Sequence, residues 1–585
     1  MQLHLALLAL SSVAHATRVT YNWTLSKVSD INPDGLHTRS VLGINGQWPP
    51  VPINVNSTDE LRIRLKNGLG NGSPTTLHSH GIFFNNTNYF DGASMITQCP
   101  IPDGQDMTYE ILNSPRSPQE QFGKQWGTYW IHSHYRGQYA DGFRIPLVIH
   151  HVDSDGVKKE THHYDDDYTV SLTDWYHQWY NTLNRTKLMT VTNPAGKDPV
   201  PKSHLIYFQH TPWNRPARVL PGFNENATLR FELGKTYRLR IANMASFAKF
   251  HFWIEGHQMK IIEVDGVDTE PFTVDHFSIS VAQRVSVLVK ARTDSHAKNW
   301  KIHAAAGPDM YAYLPDDLQM NVTSQISYGH DLEMGEGRKH LNQFHDFDET
   351  QLTPVDEIPL YGLTDHYTQS HRLDILFTTF KNGINYATFN NNTFIAPIVP
   401  AALTMKSEGE HALDPRYFGP NAHAITAKHL DTVEFVLYNW GGASHPFHLH
   451  GTNFQVVWRQ LNVTSLNPKD TPPFNPHQSN PIRRDTVSVP PTGVVAIRFV
   501  SDNPGAWFFH CHIEWHLAAG LALIMIQAPD VYAEKYKTIP SEIYEQCHAQ
   551  NMNTSGNAGG IKNSVTNFGN LPQAPRLNRT HKVHA

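Results

Sequence analysis

The chain has 585 residues, which is enough for three or four domains of about 150 residues each. Aromatic residues make up 11% of it, and its 38 prolines and 37 glycines favour strands and loops over long helices. The formal net charge is only -6 and no basic run occurs, which argues against a nucleic-acid partner.

The N-terminus has the pattern of a secretory signal. Residues 1–16 are largely apolar and end at Ala14-His15-Ala16, a small-x-small pattern typical of signal-peptide cleavage, and a buried first strand is the alternative. Sequons for N-glycosylation agree with secretion and occur along the whole chain, at Asn22, Asn56, Asn71, Asn85, Asn184, Asn226, Asn321, Asn391, Asn462, Asn553 and Asn578. We therefore expect a secreted protein with N-glycans and, because no later run approaches about 18 apolar residues, no membrane span.

Short apolar runs separated by turn residues dominate the rest of the chain. Leu61, Ile63 and Leu65 alternate with charged residues, the signal of a half-buried strand. We predict an all-β protein built of β-sandwiches, with one helix over 531–547 closing the last of them. The predicted divisions are a signal peptide over 1–16, domains over 17–160, 161–330 and 373–550, a charged connecting segment over 331–372, and a polar tail over 551–585.

Four His-x-His pairs occur among the 37 histidines, where about two are expected by chance. They are His78 and His80, His132 and His134, His448 and His450, and His510 and His512. Two pairs lie in the first domain and two in the third, which fits ligands gathered at a domain interface. Because one ion takes only three or four ligands, eight imidazoles imply two or three metal ions.

Cys511 lies between His510 and His512 in an extended run. Alternate side chains of a strand point to opposite faces, so the two histidines share one face and the cysteine looks the other way. His516 and His445 can meet the cysteine, so that the three hold one ion. Imidazole with a single thiolate is the blue-copper pattern, whereas structural zinc would want more thiolates. Copper is therefore predicted.

The position of the axial ligand falls on Leu521, ten residues after the cysteine, and a leucine cannot coordinate a metal. Met525 is a less natural donor. A missing axial ligand should raise the redox potential.

The chain has only three cysteines. With Cys511 assigned to metal, Cys99 and Cys547 remain, and in an oxidising compartment we predict that they form a disulfide tying the first domain to the C-terminal region. Two free thiols are the alternative.

These motifs resemble those of the fungal multicopper oxidases. The resemblance rests on His78-Ser79-His80-Gly81 and on the segments 127–134, 445–451 and 510–516. It implies three consecutive cupredoxin domains of Greek-key topology, four copper ions, and one-electron oxidation of a reductant coupled to reduction of O2 to water. It implies a type 1 copper at Cys511, His445 and His516, a type 2 copper at His78 and His448, and a type 3 pair at His80, His132, His134, His450, His510 and His512.

Two acids match residues of the family that supply or relay protons. They are Asp91 and Glu514, and a turn or surface role is the alternative for each.

Within the family, the chain is similar to the branch that contains the yeast iron-uptake ferroxidases. Those enzymes place three acids around the type 1 copper; here only Asp198 matches, the other positions fall on Ala312 and Gly441, and Asp309 is off register. Ferrous iron prefers carboxylate ligands, so the loss of two of the three acids argues against iron oxidation. The lack of a C-terminal membrane span argues the same way.

We therefore expect a monomeric laccase-like phenol oxidase with Asp198 as acceptor of the phenolic proton. Radical coupling in pigment or secondary-metabolite synthesis would follow from such an activity. A ferroxidase and a copper-binding protein without turnover are the alternatives.

Overall fold

The computed structural model describes residues 17–112, 125–294, 298–362, 367–463 and 478–577. Within these ranges the chain forms 31 strands in six sheets, and its helices have at most eight residues. The all-β prediction is thus confirmed. The predicted signal peptide and the sequon at Asn578 lie outside the described residues, and the predicted domain divisions stay a prediction.

The first unit contains two four-stranded sheets, ordered β2-β1-β4-β6 and β3-β8-β7-β5. In β4, Leu61, Ile63 and Leu65 are buried while the arginines between them are not, as the alternation predicts. The strands are β1 (Arg18–Ile31), β2 (Arg39–Ile44), β3 (Ile53–Asn56), β4 (Glu60–Asn67), β5 (His78–His80), β6 (Asp106–Leu112), β7 (Gly127–His132) and β8 (Arg144–His150).

The second unit pairs a seven-stranded sheet with a five-stranded sheet, ordered β11-β10-β9-β13-β18-β15-β16 and β12-β20-β19-β14-β17. The helix α1 (Tyr180–Leu183) follows its first strand. The strands are β9 (Asp166–Trp175), β10 (Ser203–His210), β11 (Arg218–Val219), β12 (Thr228–Arg230), β13 (Thr236–Asn243), β14 (Phe250–Ile254), β15 (Met259–Val264), β16 (Val267–Val274), β17 (Phe277–Ile279), β18 (Arg284–Lys290), β19 (Trp300–Ala306) and β20 (Asn321–Ser327).

The third unit has sheets of six and five strands, ordered β22-β21-β24-β29-β26-β27 and β23-β31-β30-β25-β28. Its strands are β21 (Gln369–Thr379), β22 (Asn385–Phe389), β23 (Ile425–Ala427), β24 (Thr432–Asn439), β25 (His445–Leu449), β26 (Phe454–Gln460), β27 (Arg483–Arg484), β28 (Thr486–Val489), β29 (Val494–Val500), β30 (Gly505–Cys511) and β31 (Ala522–Gln527). Its helices are α2 (Ala401–Glu408), α3 (Glu514–Ala518), α4 (Pro529–Lys535) and α5 (Ser541–His548).

The three units repeat one topology. The first strand of each unit pairs in parallel with a later strand of the same sheet: β1 with β4, β9 with β13, and β21 with β24. A parallel pair also lies at the edge of each second sheet, between β3 and β8, β12 and β20, and β23 and β31. The chain is therefore three consecutive cupredoxin-like β-sandwiches.

The prediction of one helix over 531–547 is wrong, because the structure has two. The helix α4 ends at Lys535 and α5 begins at Ser541, directly after Pro540. A proline has no N–H for an internal helical bond and biases the residue before it away from helical geometry. In the part of the chain that the structure describes, no helix is long and apolar enough to cross a bilayer.

The predicted disulfide between Cys99 and Cys547 is confirmed, with 5.2 Å between the two Cα atoms. It fastens α5 to the first unit. The amides of Gln546 and Gln550 on the same segment donate to the carbonyls of Asp106 and Pro100, at 3.1 and 2.6 Å. The C-terminal segment is thus attached to the first unit by both covalent and hydrogen bonds.

Replacing both Cys99 and Cys547 by serine should destabilise the protein by about 2–4 kcal/mol, since the bond constrains a very long loop of the unfolded chain. Guanidinium unfolding of the double variant measures the change. Limited proteolysis should cut first between α4 and α5. Unfolding midpoints that coincide with those of the parent protein would show that the disulfide contributes nothing.

Candidate metal centre

The four histidine pairs lie on two pairs of neighbouring strands. In the first unit β5 lies antiparallel to β7, which sets His78 opposite His132. In the third unit β25 lies antiparallel to β30, which sets His448 opposite His510. Seven of the eight imidazoles are buried, and His134 is half-buried. Sheet register therefore delivers eight imidazoles to one interior region between the first and third units.

The imidazoles fall into three groups of converging nitrogens. Within each group the ligand atoms lie within 4.8 Å of one another; the groups are His78, His80 and His448; His80, His132 and His512; and His134, His450 and His510. In the last group Nε2 of His510 lies 3.3 Å from Nε2 of His134 and 3.2 Å from that of His450. Such spacing suits nitrogens that share one ion at about 2 Å from each.

Hydrogen bonds to the backbone orient several of these rings. The Nδ1 of His78 donates to the carbonyl of Asp91 at 2.7 Å, and that of His448 to the carbonyl of Asp485 at 2.8 Å. The Nε2 of both rings is buried and has no hydrogen-bond partner among the described residues. Each of these two nitrogens therefore has a lone pair that no hydrogen-bond donor uses and that can bind a metal ion. The residues at the site thus fit a bound metal.

Burial keeps several of these imidazoles neutral. Desolvation, followed by repulsion from neighbouring imidazoles, holds the pKa of His80, His134 and His448 well below its ordinary value. The pKa of His510 is lowered to about 3, again chiefly by burial. Since only the neutral imidazole binds a metal, the electrostatics of the site favour metal over protons.

The cysteine forms a separate group with two further histidines, which we call the Cys511 group: Cys511, His445 and His516. The Nδ1 atoms of His445 and His516 are 3.1 Å apart, and they lie 4.0 and 3.5 Å from the sulfur. The helix α3 brings His516 back to the strand that ends at Cys511. One thiolate with two imidazoles is the donor set of a blue-copper site.

The structure places Leu521 beside the cysteine, because the Cys511 N–H donates to the Leu521 carbonyl at 3.0 Å. Leu521 is fully buried. Met525 instead pairs with Trp507 in the sheet, four residues before the cysteine. The backbone thus favours Leu521 over Met525 as the axial neighbour.

The two predicted proton-handling acids lie at the imidazole cluster. Asp91 Oδ2 accepts from His450 Nδ1 at 2.9 Å, and its Oδ1 lies 3.3 Å from His78 Nδ1. Glu514 is buried and lines a cavity of about 840 Å³ that His134 and His510 also line. Burial raises the pKa of Glu514 to about 8, so this carboxyl holds a proton at neutral pH.

Sequence patterns missed a third acid, Asp485. Its Oδ1 lies 3.0 Å from His80 Nε2 and 2.8 Å from Nη1 of Arg284. Burial raises the pKa of this carboxyl above its ordinary value, although Arg284 opposes the shift. No spacing could have revealed the contact, because Asp485 lies 405 positions from His80.

Asp198 lies on the outer side of the Cys511 group. Its Oδ2 lies 3.0 Å from Nε2 of His516, and it lines a surface cavity of about 570 Å³ together with His177 and Tyr313. Asp198 raises the pKa of His516 to about 10, against the effect of burial. Gly441 is one of the two positions where the yeast ferroxidases carry an acid and this chain does not. A Cβ placed on Gly441 would lie 3.9 Å from Nε2 of His445.

The chain is similar over nearly its whole length to fungal multicopper oxidases that are named for iron or iron transport. It is 50% identical over 572 residues to the iron multicopper oxidase fer1 of Mycosarcoma maydis, covering 97% of this chain and 90% of the relative. It is 38% identical to the iron transport multicopper oxidase FET3 of Kluyveromyces lactis, with 95% and 84% covered. The crystal structure of Fet3p, a multicopper oxidase that functions in iron import, matches with a TM-score of 0.83, 34% identity and coverage of 97% and 100%.

These relatives contradict the expectation of a laccase-like phenol oxidase with a role in pigment or secondary-metabolite synthesis. That expectation treated the loss of two of three acids as decisive. In the fold, the one acid that remains, Asp198, is already hydrogen-bonded to His516.

Three models of multicopper oxidase domains also match the chain, over residues 26–154, 166–330 and 394–531. Each range falls within one of the three β-sandwich units. Together with relatives of up to 50% identity over 97% of its length, they show that the chain belongs to the multicopper oxidase family.

Proposed function

We propose that this multicopper oxidase, which reduces O2 with four copper ions, oxidises ferrous to ferric iron. Fungal relatives of 50% and 38% identity are named as iron oxidases. The single observation that carries the proposal is the 3.0 Å contact between Asp198 and His516. Ferrous iron is a hard cation that prefers carboxylate oxygen, and this carboxylate faces a surface cavity while it contacts the Cys511 group.

The residues around each copper are assigned from the donor sets. The Cys511 group suits the type 1 ion, and His78 with His448 suits the type 2 ion. The type 3 pair would be held by the other six imidazoles, which are His80, His132, His134, His450, His510 and His512. When bound, copper supplies one-electron redox chemistry and the reduction of O2.

The chain itself connects the two parts of the site. Asp198 holds the substrate cation and contacts His516, which lies 3.5 Å from the sulfur of Cys511. Cys511 is bonded directly to His510 and His512 in the sequence. The path from the surface cavity therefore crosses one noncovalent contact, between Asp198 and His516, to reach the Cys511 group, and it continues from Cys511 to the imidazole cluster through covalent bonds.

Two carboxyl groups have different roles at the imidazole cluster. Glu514 is protonated at neutral pH and faces the cavity beside His134 and His510, so it can donate a proton to reduced oxygen. Asp91 holds the rings of His78 and His450 through their Nδ1 atoms. One acid thus supplies protons while the other orients ligands.

We further propose that the enzyme is a secreted monomer with N-glycans. The sequon asparagines Asn22, Asn226 and Asn391 are exposed, which suits glycosylation. Its partners would then be ferrous iron and O2.

Replacing Asp198 by asparagine should raise the KM for ferrous iron about ten- to a hundredfold, because contacts to charged groups contribute about 1.5–3 kcal/mol. Oxygen uptake measured against ferrous iron and against a hydroquinone tests this. The hydroquinone kinetics should change little. Asp316→Asn, an exposed acid on a nearby loop, is the matched control.

Two outcomes would overturn the proposal. One is a parent enzyme whose kcat/KM for the hydroquinone exceeds that for iron. The other is unchanged iron kinetics in Asp198→Asn.

Replacing Glu514 by glutamine should slow turnover about a hundredfold or more, since a positioned general acid contributes about 10²–10⁴-fold. The KM for iron should not change. In the parent enzyme, turnover should fall as pH rises through about 8, where Glu514 loses its proton. Turnover profiles from pH 5 to 10 would show this alkaline limb in the parent and not in the variant; an identical limb in both would exclude Glu514 as the proton donor.

A further inference from the structure

A buried lysine, Lys249, contacts Ser444, the residue that precedes His445 of the Cys511 group. The Nζ of Lys249 lies 2.8 Å from Asp309 Oδ2, 2.6 Å from Asp346 Oδ1 and 3.0 Å from Ser444 Oγ. Ser444 immediately precedes His445 in the sequence. We call the three oxygen-bearing residues, Asp309, Asp346 and Ser444, the oxygen cage.

The oxygen cage is assembled from distant parts of the chain. Asp309 belongs to the second unit, Asp346 to the connecting segment and Ser444 to the third unit. The Ser444 hydroxyl also lies 3.2 Å from Asp309 and 3.1 Å from Asp346, which closes the ring of contacts. Solvent reaches the carboxylates, whose side chains are 27% and 12% exposed, while that of Lys249 is 3% exposed.

A glycine makes room for the lysine. A Cβ on Gly307 would lie 2.8 Å from Lys249 Cε and 2.9 Å from Asp309 Oδ1, so any side chain there would displace the lysine. The same Cβ would lie 3.6 Å from His251 Nε2, a buried nitrogen without a hydrogen-bond partner among the described residues. Gly307 therefore packs against Lys249, Asp309 and His251 at the same time.

The atoms around the ammonium are those that bind divalent cations. Two carboxylates and a hydroxyl at 2.6–3.0 Å from Nζ form an oxygen donor set of the kind that hard cations prefer. Burial raises the pKa of Asp346, but Lys249 more than offsets this, so the pKa lies below its ordinary value. Asp346 also lies 3.9 Å from Nη2 of Arg459, so the lysine, which contacts both carboxylates, is the nearer of two cations beside it.

The imidazole of His445 has no acid of its own. Among the described residues its ring contacts are His516, Cys511 and the aromatic rings of Phe377 and Phe447. His516, in contrast, is hydrogen-bonded to Asp198. The two histidines of the Cys511 group thus differ in their access to a cation.

We propose that Lys249 determines where the substrate cation binds: its ammonium fills the oxygen cage as a built-in cation, so that ferrous iron meets the Cys511 group only at Asp198 and His516. This inference rests on the proposed iron oxidation. Lys249 is therefore a specificity-determining residue that closes the His445 side to divalent cations.

The test uses Lys249→Ser in the copper-loaded, full-length protein, with Mn²⁺ under anaerobic conditions as a probe of hard-cation sites. Equilibrium dialysis should show one more bound Mn²⁺ in this variant than in the parent. The additional site should be lost in Lys249→Ser/Asp309→Asn/Asp346→Asn. Lys249→Arg keeps a positive charge in the oxygen cage and is the matched control, so it should bind no more Mn²⁺ than the parent.

Kinetics give a second measurement. If removal of the lysine allows ferrous iron to bind in the oxygen cage, the double variant Asp198→Asn/Lys249→Ser should oxidise iron faster than Asp198→Asn alone. Its kcat/KM for iron should be at least tenfold higher. Stability covers the case in which Lys249→Ser folds poorly, because a cation that binds only the folded state raises the melting temperature. Mn²⁺ should raise the melting temperature of Lys249→Ser more than that of the parent or of the triple variant.

Failure of this inference is distinct from failure of the proposed function. Equal Mn²⁺ binding by Lys249→Ser and the parent, with no recovery of iron oxidation in the Asp198→Asn background, would overturn the role of Lys249. A parent enzyme that prefers a hydroquinone to iron would instead overturn the iron-oxidase proposal, whatever the Mn²⁺ count.

Discussion

The structure depends on one constraint: imidazole nitrogens with unpaired lone pairs are buried between the first and third units. A buried polar group without a partner costs about 1–3 kcal/mol, and Nε2 of His78, His132, His448 and His512 is in this position among the described residues. Metal ligation removes that cost. Because the ligands come from two units, metal binding is coupled to their association as well as to folding.

Among the described residues, the second unit contributes no imidazole to the cluster, yet it contacts both of the units that do. Arg284 of β18 donates through Nε to the Thr128 carbonyl of β7 at 3.0 Å and through Nη1 to Asp485 at 2.8 Å. Asp485 in turn contacts His80 at 3.0 Å. One buried arginine therefore links a strand of the first unit, an acid of the third and a ring of the cluster. Removing either Arg284 or Asp485 would leave the other charge buried without its partner, which would destabilise the fold.

The outer face of the Cys511 group is asymmetric. One histidine contacts a carboxylate, while the residue before the other lies in an oxygen cage already occupied by Lys249. The number of acids near the site is therefore a poor guide to its substrate, because an acid compensated by an internal ammonium is not available to a cation in solution. The number of acids therefore favoured a phenolic substrate, whereas the relatives of this chain are named iron or iron transport multicopper oxidases.

The sequence by itself determined the fold class and the disulfide, and it predicted the histidines and the cysteine that the fold brings together. A strand repeats every two residues, and this repeat is local. It is enough to interpret the alternation from Leu61 to Leu65, the paired histidines, and the single cysteine between two histidines. Sequence could not determine the contacts of Asp485 with His80 or of Asp198 with His516, nor the oxygen cage around Lys249. These contacts join residues from 60 to 405 positions apart, and only the packing of three sandwiches brings them within hydrogen-bond distance. The proposed ferrous-iron substrate depends on that packing, because only the folded chain brings Asp198 to His516.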